Sequence, residues 1–253
     1  MADLDGKVAL ITGGGQGVGQ GIAFALSRAG AKCVLFGRTA SKLEDTARQI
    51  GERGGEALTV AGDVKDAGDL GRAVDAAVGQ LGGVDILVNN AQEVPLGPLA
   101  NITDEAFTTG FESGPLATLR LMKLVRPHMV ERGGGTIINL VSSAGVRWDM
   151  ANYGAYGAVK QAIRPLTRAA ASEWGPDNIR VLAIAPHADS PSLKWWIENN
   201  PEEAEAFFRS IPLRRIGECE ADIGEAVAAL CSPAMRYLTG ATIPLDGGQA
   251  NFD

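Results

Sequence analysis

Residues 136–160 read TIINLVSSAGVRWDMANYGAYGAVK, and the rest of the chain is organised around them. The stretch opens with a short run of mostly apolar and β-branched residues, which predicts a buried strand. That strand delivers Ser142 and Ser143 into a glycine-containing turn. A helix is predicted to follow, and on it Tyr156 and Lys160 stand four residues apart, so that their side chains share one face.

The hydroxyl, phenol and ammonium groups of this stretch suit acid–base chemistry. A phenol has an unperturbed pKa of about 10 and gives up its proton reluctantly. Lys160 held near Tyr156 would favour the phenolate and make it usable as an acid or base near neutral pH. Ser143 beside the phenol could steady a carbonyl or alkoxide oxygen. A tyrosine next to a solvated lysine is a common pair, so the prediction of proton transfer coupled to hydride transfer also depends on Ser143 and on the rest of the chain.

A glycine-rich stretch near the N-terminus carries a second chemical signal. The first predicted strand, 7–12, runs into Gly-Gly-Gly-Gln-Gly-Val-Gly at 13–19, which opens a helix ending near Ala29. Such a turn presents backbone N–H groups and the positive end of a helix dipole to a pyrophosphate. Glycines permit the positive φ values and the close backbone approach that this requires. A merely flexible turn is the alternative, but the place of the turn between strand and helix favours dinucleotide binding.

Strands and helices alternate along the remaining sequence, which is typical of a parallel sheet with helices on both faces. No repeat or linker divides the chain, so we predict one α/β domain over 1–253, a doubly wound Rossmann-type sheet of about seven strands with a helical insertion at about 191–210. The other predicted strands are 32–36, 58–61, 84–91, 136–141, 179–185 and 241–245, and the other predicted helices are one opened by a capping box at Ser41–Glu44, then 69–81, 103–131, the helix of Tyr156, and 222–230.

Composition narrows the classes of function. The 253 residues carry a formal net charge of −7 and show no basic cluster, which argues against a nucleic-acid partner. The three cysteines are scattered and fit a reducing compartment, and the two histidines stand apart, so no metal site is expected. No signal-type block and no apolar span of about 18 residues is visible. We therefore predict a cytoplasmic protein without a membrane partner.

The arrangement of Ser143, Tyr156 and Lys160 resembles the active-site signature of the short-chain dehydrogenase/reductase family. Thr-Gly-x-x-x-Gly-x-Gly at 12–19 is similar to the cofactor motif of that family at every fixed position. Three further motifs match in order, namely Asp63-Val64, Asn89-Asn90-Ala91 and Asp246-Gly247-Gly248. The resemblance implies that Ser143, Tyr156 and Lys160 are catalytic and that the cofactor is bound by Gly13, Gly15, Gln16, Gly17, Val18, Gly19, Arg38, Asp63, Val64, Asn90, Ala91, Tyr156, Lys160 and Pro186.

Several positions depart from the pattern of the family and imply an altered nicotinamide pocket. Gln92 stands where glycine is usual, which places a side chain near the expected ribose. Gly114 stands where the family has an asparagine that helps hold a water below Lys160. The other departures are His187 after Pro186, Pro191 in place of a hydroxyl residue and flanked by Ser190 and Ser192, and Pro165 in the catalytic helix beyond Lys160.

We therefore expect an oxidoreductase that interconverts a ketone and a secondary alcohol, with Tyr156 as general acid/base, Lys160 as its electrostatic partner and Ser143 as an oxygen-binding donor. Gly37 stands where a carboxylate would select the ribose 2′-hydroxyl, and Arg38 follows, so NADP(H) should be preferred to NAD(H). A solvated arginine is the alternative. Two other functions stay open: a lyase or dehalogenase that uses the Ser–Tyr pair without hydride transfer, and a cofactor-binding scaffold or sensor with weak turnover.

The expected partner is a small-molecule carbonyl or alcohol substrate, together with further copies of the chain. Helix 103–131 and the run Ala169-Ala170-Ala171 offer more apolar surface than one sheet face needs. The family resemblance implies that these helices pair across a two-fold axis in a dimer or tetramer. The alternative is that the small residues only let the helix lie close to the sheet.

Overall fold

The computed structural model describes residues 3–147 and 151–250, the side chain of Ser192 excepted. Within these ranges seven parallel strands form one sheet in the order β3-β2-β1-β4-β5-β6-β7. This confirms the predicted doubly wound α/β fold. The strands are β1 (Val8–Thr12), β2 (Lys32–Gly37), β3 (Ala57–Ala61), β4 (Ile86–Asn89), β5 (Gly135–Leu140), β6 (Ile179–Pro186) and β7 (Thr242–Leu245).

The described helices connect the strands and cover both faces of the sheet. They are α1 (Gly17–Arg28), α2 (Ala40–Glu52), α3 (Ala67–Leu81), α4 (Asp104–Phe111), α5 (Ala117–Glu131), α6 (Gly154–Trp174), α7 (Pro191–Asn199), α8 (Pro201–Ser210) and α9 (Glu225–Cys231). Helices α1, α2 and α9 share one buried apolar cluster with the sheet, and α3, α5 and α6 share another.

The strand order creates the place where a ligand can bind. β1 pairs with β2 on one side and with β4 on the other. The connections that leave β1 and β4 therefore run to opposite sides of the sheet and leave a crevice at the carboxyl ends of these strands.

A buried polar ladder fixes α6 against the sheet. Asn89 and Asn139 are register partners on β4 and β5. Asn89 Nδ2 donates to Asn139 Oδ1 at 2.8 Å, and Asn139 Nδ2 donates to Thr167 Oγ1 on α6 at 2.9 Å. Because buried amides are costly to leave unpaired, this ladder favours one position of the helix.

Two predicted helix starts differ from the structure. The capping box expected at Ser41–Glu44 is wrong, because α2 begins at Ala40 and its N-cap, Thr39, makes no side-chain capping bond. Helix α3 begins earlier than expected, because the Asp66 side chain accepts a hydrogen bond from the backbone N–H of Asp69 and caps the helix there.

Two predicted helices contain a π-helical turn. Glu112–Leu116 lies between α4 and α5 and includes Pro115, and Cys219–Gly224 precedes α9. A π turn holds one extra residue, and it tolerates the hydrogen bond that is lost because proline has no N–H. The helical run expected at 103–131 therefore continues through a bulge. Pro165 lies within α6, which is continuous from Gly154 to Trp174.

Candidate active site

Thr12 holds the glycine turn in place, a role that the sequence analysis did not assign. Its Oγ1 accepts hydrogen bonds from the backbone N–H groups of Asn90 and Ala91 at 2.9 and 3.0 Å and donates to the Val88 carbonyl at 3.3 Å. Asn90 Nδ2 in turn donates to the Thr12 carbonyl at 2.8 Å. These bonds lock together the ends of the two strands that flank the crevice.

Two glycines of the turn are required by close packing. A Cβ on Gly13 would lie 2.4 Å from Asn90 Nδ2, and a Cβ on Gly19 would lie 2.4 Å from the Gly13 carbonyl oxygen. Gly13 also has a φ of +68°. The first turn of α1 therefore lies directly on the end of β1, where no side chain would fit.

A cavity of about 270 Å³ opens beside this turn. Its walls are the glycine turn and the loops that follow β2, β3 and β4. Arg38 and Lys42 bring positive charge to the lining, and Asp63 and Glu93 bring carboxylates. Backbone N–H groups at a helix N-terminus, beside cations and carboxylates, fit the phosphates and sugar hydroxyls of a dinucleotide.

Arg38 is paired in this structure. Its Nη1 donates to Glu93 Oε1 at 2.9 Å, and Lys65 Nζ donates to the same oxygen at 2.9 Å. The Glu93 backbone N–H is held by Ser113 Oγ at 3.0 Å. The Arg38 side chain is 65% exposed, so its pairing is worth only about 0.2–1 kcal/mol, and an anion could displace the carboxylate.

Tyr156 and Lys160 lie on one face of α6, beside the end of β5. Lys160 is 6% exposed, and its Nζ lies 5.9 Å from the centre of the Tyr156 ring. The same Nζ donates to the Leu140 carbonyl at 2.8 Å. The structure thus brings these two predicted residues together at the carboxyl edge of the sheet.

The two serines after β5 have different partners. The Ser142 side chain hydrogen-bonds the Tyr156 phenol, although Ser143 was expected beside it. Ser143, which is 8% exposed, donates from Oγ to Gln249 Oε1 at 3.3 Å.

Burial governs the protonation of Tyr156 and Lys160. Removal of the ammonium group from water lowers the pKa of Lys160 to about 7. Burial raises the pKa of Tyr156 above its usual 10, and the hydrogen bond with Ser142 acts in the opposite direction. The expected lowering of the phenol pKa by Lys160 is therefore not seen in this structure. A phenol that is protonated at neutral pH can act as a proton donor.

Gln92 fills the space beside Gly114. A Cβ on Gly114 would lie 3.0 Å from Gln92 Nε2, 3.1 Å from Gln92 Cδ and 3.0 Å from Val159 Cγ1. Both amide atoms of Gln92 are buried, and neither has a hydrogen-bond partner among the described residues. Because buried amides are normally satisfied, these two atoms point to a polar ligand group or a water beside them.

Helices α7 and α8 place aromatic rings next to the loop after β6. The Phe207 ring centre lies 5.2 Å from that of His187 and 5.9 Å from that of Trp196. The guanidinium of Arg147, in the loop after Ser143, lies 5.8 Å from the Phe207 ring centre. Burial lowers the pKa of His187, so its ring is neutral at neutral pH. These residues form an aromatic wall close to the loop after β5 that carries Ser142 and Ser143, here called the serine loop.

The predicted cofactor residues fall into two groups in the structure. Those outside the cavity wall lie on α6 (Tyr156 and Lys160), in the first turn of α1 (Gly17, Val18 and Gly19) and at the end of β6 (Pro186). The residues that line the 270 Å³ cavity are Gly13, Gly15, Gln16, Arg38, Asp63, Val64, Asn90 and Ala91.

The described part of the chain offers neither a metal centre nor a membrane span. No group of three or more His, Cys, Asp or Glu side chains there is arranged to hold a metal ion. None of the described helices is both long and apolar enough to cross a membrane.

The chain is similar to known oxidoreductases over nearly its whole length. A family model described as enoyl-(acyl carrier protein) reductase matches residues 13–250. The 12alpha-hydroxysteroid dehydrogenase of Clostridium sp. is 38% identical over 257 residues, with 98% of each chain covered. The structure of a 7alpha-hydroxysteroid dehydrogenase with NADH and 7-oxo glycochenodeoxycholic acid has a TM-score of 0.92 at 34% identity, covering 98% of this chain and 96% of that one. L-sorbose reductase from Gluconobacter frateurii with NADPH and L-sorbose has a TM-score of 0.90 at 30% identity, covering 100% and 99%.

A glycine turn at the switch point of a parallel sheet, with a Tyr–Lys helix beside it, defines a dinucleotide-dependent oxidoreductase. The chain belongs to the short-chain dehydrogenase/reductase family, which confirms the resemblance found in its sequence. It is an NAD(P)-dependent enzyme that acts on CH–OH groups.

Proposed function

We propose that the enzyme interconverts a ketone and a secondary alcohol, with Tyr156 as the proton donor and acceptor. The observation that supports this most directly is the buried Tyr156–Lys160 pair at the edge of the sheet where the glycine turn lies. A bound nicotinamide dinucleotide would supply or accept the hydride at the reacting carbon.

Each side chain of the site has a role in the reduction. Tyr156 would donate its proton to the carbonyl oxygen, while the carbonyl carbon would receive the hydride that the dinucleotide supplies. Ser143 Oγ would donate a hydrogen bond to the same oxygen as negative charge develops on it. Lys160 would stabilise the phenolate left behind, since a buried cation interacts strongly with a nearby anion. In the oxidation the same proton returns to Tyr156.

The acid–base role is tested by Tyr156→Phe, which removes only the hydroxyl. Turnover of an active ketone should fall by roughly 10²–10⁴, while cofactor affinity measured by fluorescence should change little, because the phenol acts at the substrate. Lys160→Met should weaken both. Tyr153→Phe is the matched control, because the Tyr153 ring lies 6.4 Å from that of Tyr156 and is 43% exposed. Undiminished turnover in Tyr156→Phe would contradict the assignment.

We propose further that NADP(H) is preferred to NAD(H). Gly37 is the last residue of β2, and Arg38 follows it in the cavity wall with Lys42 nearby. A 2′-phosphate would attract both cations. The Arg38–Glu93 pair argues for a modest preference, because the phosphate must replace the Glu93 carboxylate. Relatives have been solved with NADH and with NADPH, so the preference is specific to each protein.

The preference is tested by Gly37→Asp combined with Arg38→Leu. A Cβ on Gly37 would meet Leu43 Cδ2 at 3.5 Å, which is an ordinary contact, so a side chain can start here without a clash. The carboxylate should bind the ribose 2′-hydroxyl and repel a phosphate, and the ratio of NADPH to NADH dissociation constants should reverse by about tenfold or more. Arg236→Leu, at an exposed site, should leave the ratio unchanged. Equal affinities in the unmodified protein would argue against the preference.

The substrate is proposed to be a small-molecule ketone or alcohol. Relatives named for hydroxysteroids and for L-sorbose support this class.

We also infer a cytoplasmic location, which is supported by three free cysteines, two of them buried.

A further inference from the structure

The turn after β7 returns to the serine loop. Gln249 Oε1 accepts the hydrogen bond from Ser143 Oγ at 3.3 Å, although 106 residues separate the two in sequence. The amide carbonyl of Gln249 thereby accepts from Ser143 the same kind of hydrogen bond that a substrate carbonyl would accept. Because Ser143 has a single hydroxyl hydrogen, a substrate carbonyl that accepts this bond replaces Gln249 Oε1, and the Gln249 amide then lies beside the reacting oxygen.

The backbone around Gln249 is fixed. Asp246 is buried, and its carboxylate accepts hydrogen bonds from the N–H groups of Gly248 and Ala250, both at 3.0 Å. The N–H of Gln249 itself donates to the Asp246 carbonyl at 3.4 Å. Because the turn is held on both sides of Gln249, the backbone position of this residue is fixed before a ligand arrives.

The other end of the Gln249 amide is unsatisfied. Nε2 is buried and has no hydrogen-bond partner among the described residues. The same holds for Nδ1 of His187, whose backbone N–H donates to the Leu245 carbonyl at the start of the same turn. His187 also lines a cavity of about 480 Å³ with Asp246. A buried amide N–H needs an acceptor oxygen, and a neutral imidazole nitrogen needs a polar hydrogen or an acceptor.

We propose that Gln249 is a specificity-determining residue that hydrogen-bonds a second oxygen of the substrate, close to the reacting C–O group. The substrate class is then a hydroxyketone, because the oxygen of a hydroxyl group next to the carbonyl can accept a hydrogen bond from Gln249 Nε2. This assignment deepens the proposed reductase function and rests on it for the reacting oxygen. The contact to the second oxygen belongs to binding and can be measured separately.

The test compares 1-hydroxy-2-butanone with 2-butanone, which differ by one hydroxyl, and that hydroxyl is primary, so the proposed oxidation of secondary alcohols does not consume it. In the unmodified enzyme kcat/KM should be about tenfold or more higher for the hydroxyketone, and Gln249→Met should remove most of this difference while the value for 2-butanone changes little. Calorimetry can measure the binding of both ketones to the enzyme loaded with NADP⁺, which cannot reduce them. Gln249→Met should bind the hydroxyketone about tenfold more weakly than the unmodified enzyme does, and it should bind 2-butanone equally well. Gln249→Asn, which keeps an amide on a shorter side chain, should lose part of the preference.

The control is Gln80→Met, the same substitution at an exposed position of α3. Equal losses for both ketones in Gln249→Met, or a hydroxyketone preference that survives it in both measurements, would overturn the role of Gln249. If no ketone is reduced but the binding difference depends on Gln249, the proposed reductase function fails and the binding contact stands.

Discussion

At the scale of single residues, Gln92 and Gly114 behave as one unit. Gly114 lacks the side chain that the family has at this position, which leaves space beside α6. In the structure the Gln92 amide occupies this space, 3.0 Å from where a Cβ on Gly114 would lie. The two departures from the family pattern therefore compensate each other in volume.

This pairing predicts the outcome of Gly114→Asn. Gly114 lies in the π turn that also contains Pro115, and a new side chain at this position would press on Gln92 and Val159. The single variant should lose roughly 1–3 kcal/mol of stability to overpacking, with no gain in kcat. Gly114→Asn with Gln92→Gly should recover most of that loss and raise kcat above the single variant. Urea unfolding and steady-state kinetics measure the two effects, and additivity of the two substitutions would refute the coupling.

At the scale of elements, α1 and the π turn before α9 meet through glycines. A Cβ on Gly21 of α1 would lie 2.3 Å from the Cys219 carbonyl, and a Cβ on Gly224 would lie 2.5 Å from the Gly21 carbonyl oxygen. The two backbones are in direct contact, so neither glycine has room for a methyl group. This contact holds α1 against the π turn before α9, and it thereby positions the glycine turn at the start of α1.

We therefore expect Gly21→Ala to destabilise the protein, in spite of the better helix propensity of alanine. Forcing the two elements apart should cost about 1–3 kcal/mol. The matched control is Gly79→Ala in α3, where nothing lies within 4 Å of the new Cβ and alanine should stabilise the helix by roughly 0.5–1 kcal/mol. Urea unfolding of both variants decides the matter. A Gly21→Ala protein as stable as the Gly79→Ala protein would show that the contact can relax.

At the scale of the whole molecule, the apolar surface of the long helices suggests self-association. Phe107, Leu116 and Leu124 are 38%, 37% and 37% exposed on the run that contains α4 and α5. The alanine run of α6 contributes less than expected, because Ala170 and Ala171 are buried against the sheet and Ala169 is exposed. Ala170 and Ala171 are therefore explained by the close packing of α6 on the sheet, which was the alternative to self-association.

We predict a dimer or tetramer at micromolar concentration, measured by light scattering. Leu124→Glu, which places a charge on the exposed surface of α5, should shift the mass to a smaller species. Lys123→Glu is the control, since it changes charge at the neighbouring exposed position without removing apolar surface. A monomer in the unmodified protein would reject the assembly.

The local sequence was sufficient to predict the fold and to place Tyr156 and Lys160 together. Alternating β-branched runs and amphipathic segments predicted the seven strands and nearly all the helices, because the buried periodicity of each element is written in consecutive residues. The i, i+4 spacing likewise placed Tyr156 and Lys160 on one helix face. Helix starts were less accurate, because capping depends on individual side-chain bonds such as that of Asp66.

The tertiary structure decided how distant residues meet in the site. Gln249 reaches Ser143, Gln92 fills the space at Gly114, Glu93 pairs with Arg38, and burial sets the pKa of Lys160 at about 7. None of these follows from neighbours in sequence, because each depends on which loops the parallel sheet brings to its carboxyl edge and on how much water they exclude. Sequence by itself therefore determined the class of chemistry, and the packing of the loops decided the protonation and the hydrogen-bond partners with which that chemistry is carried out.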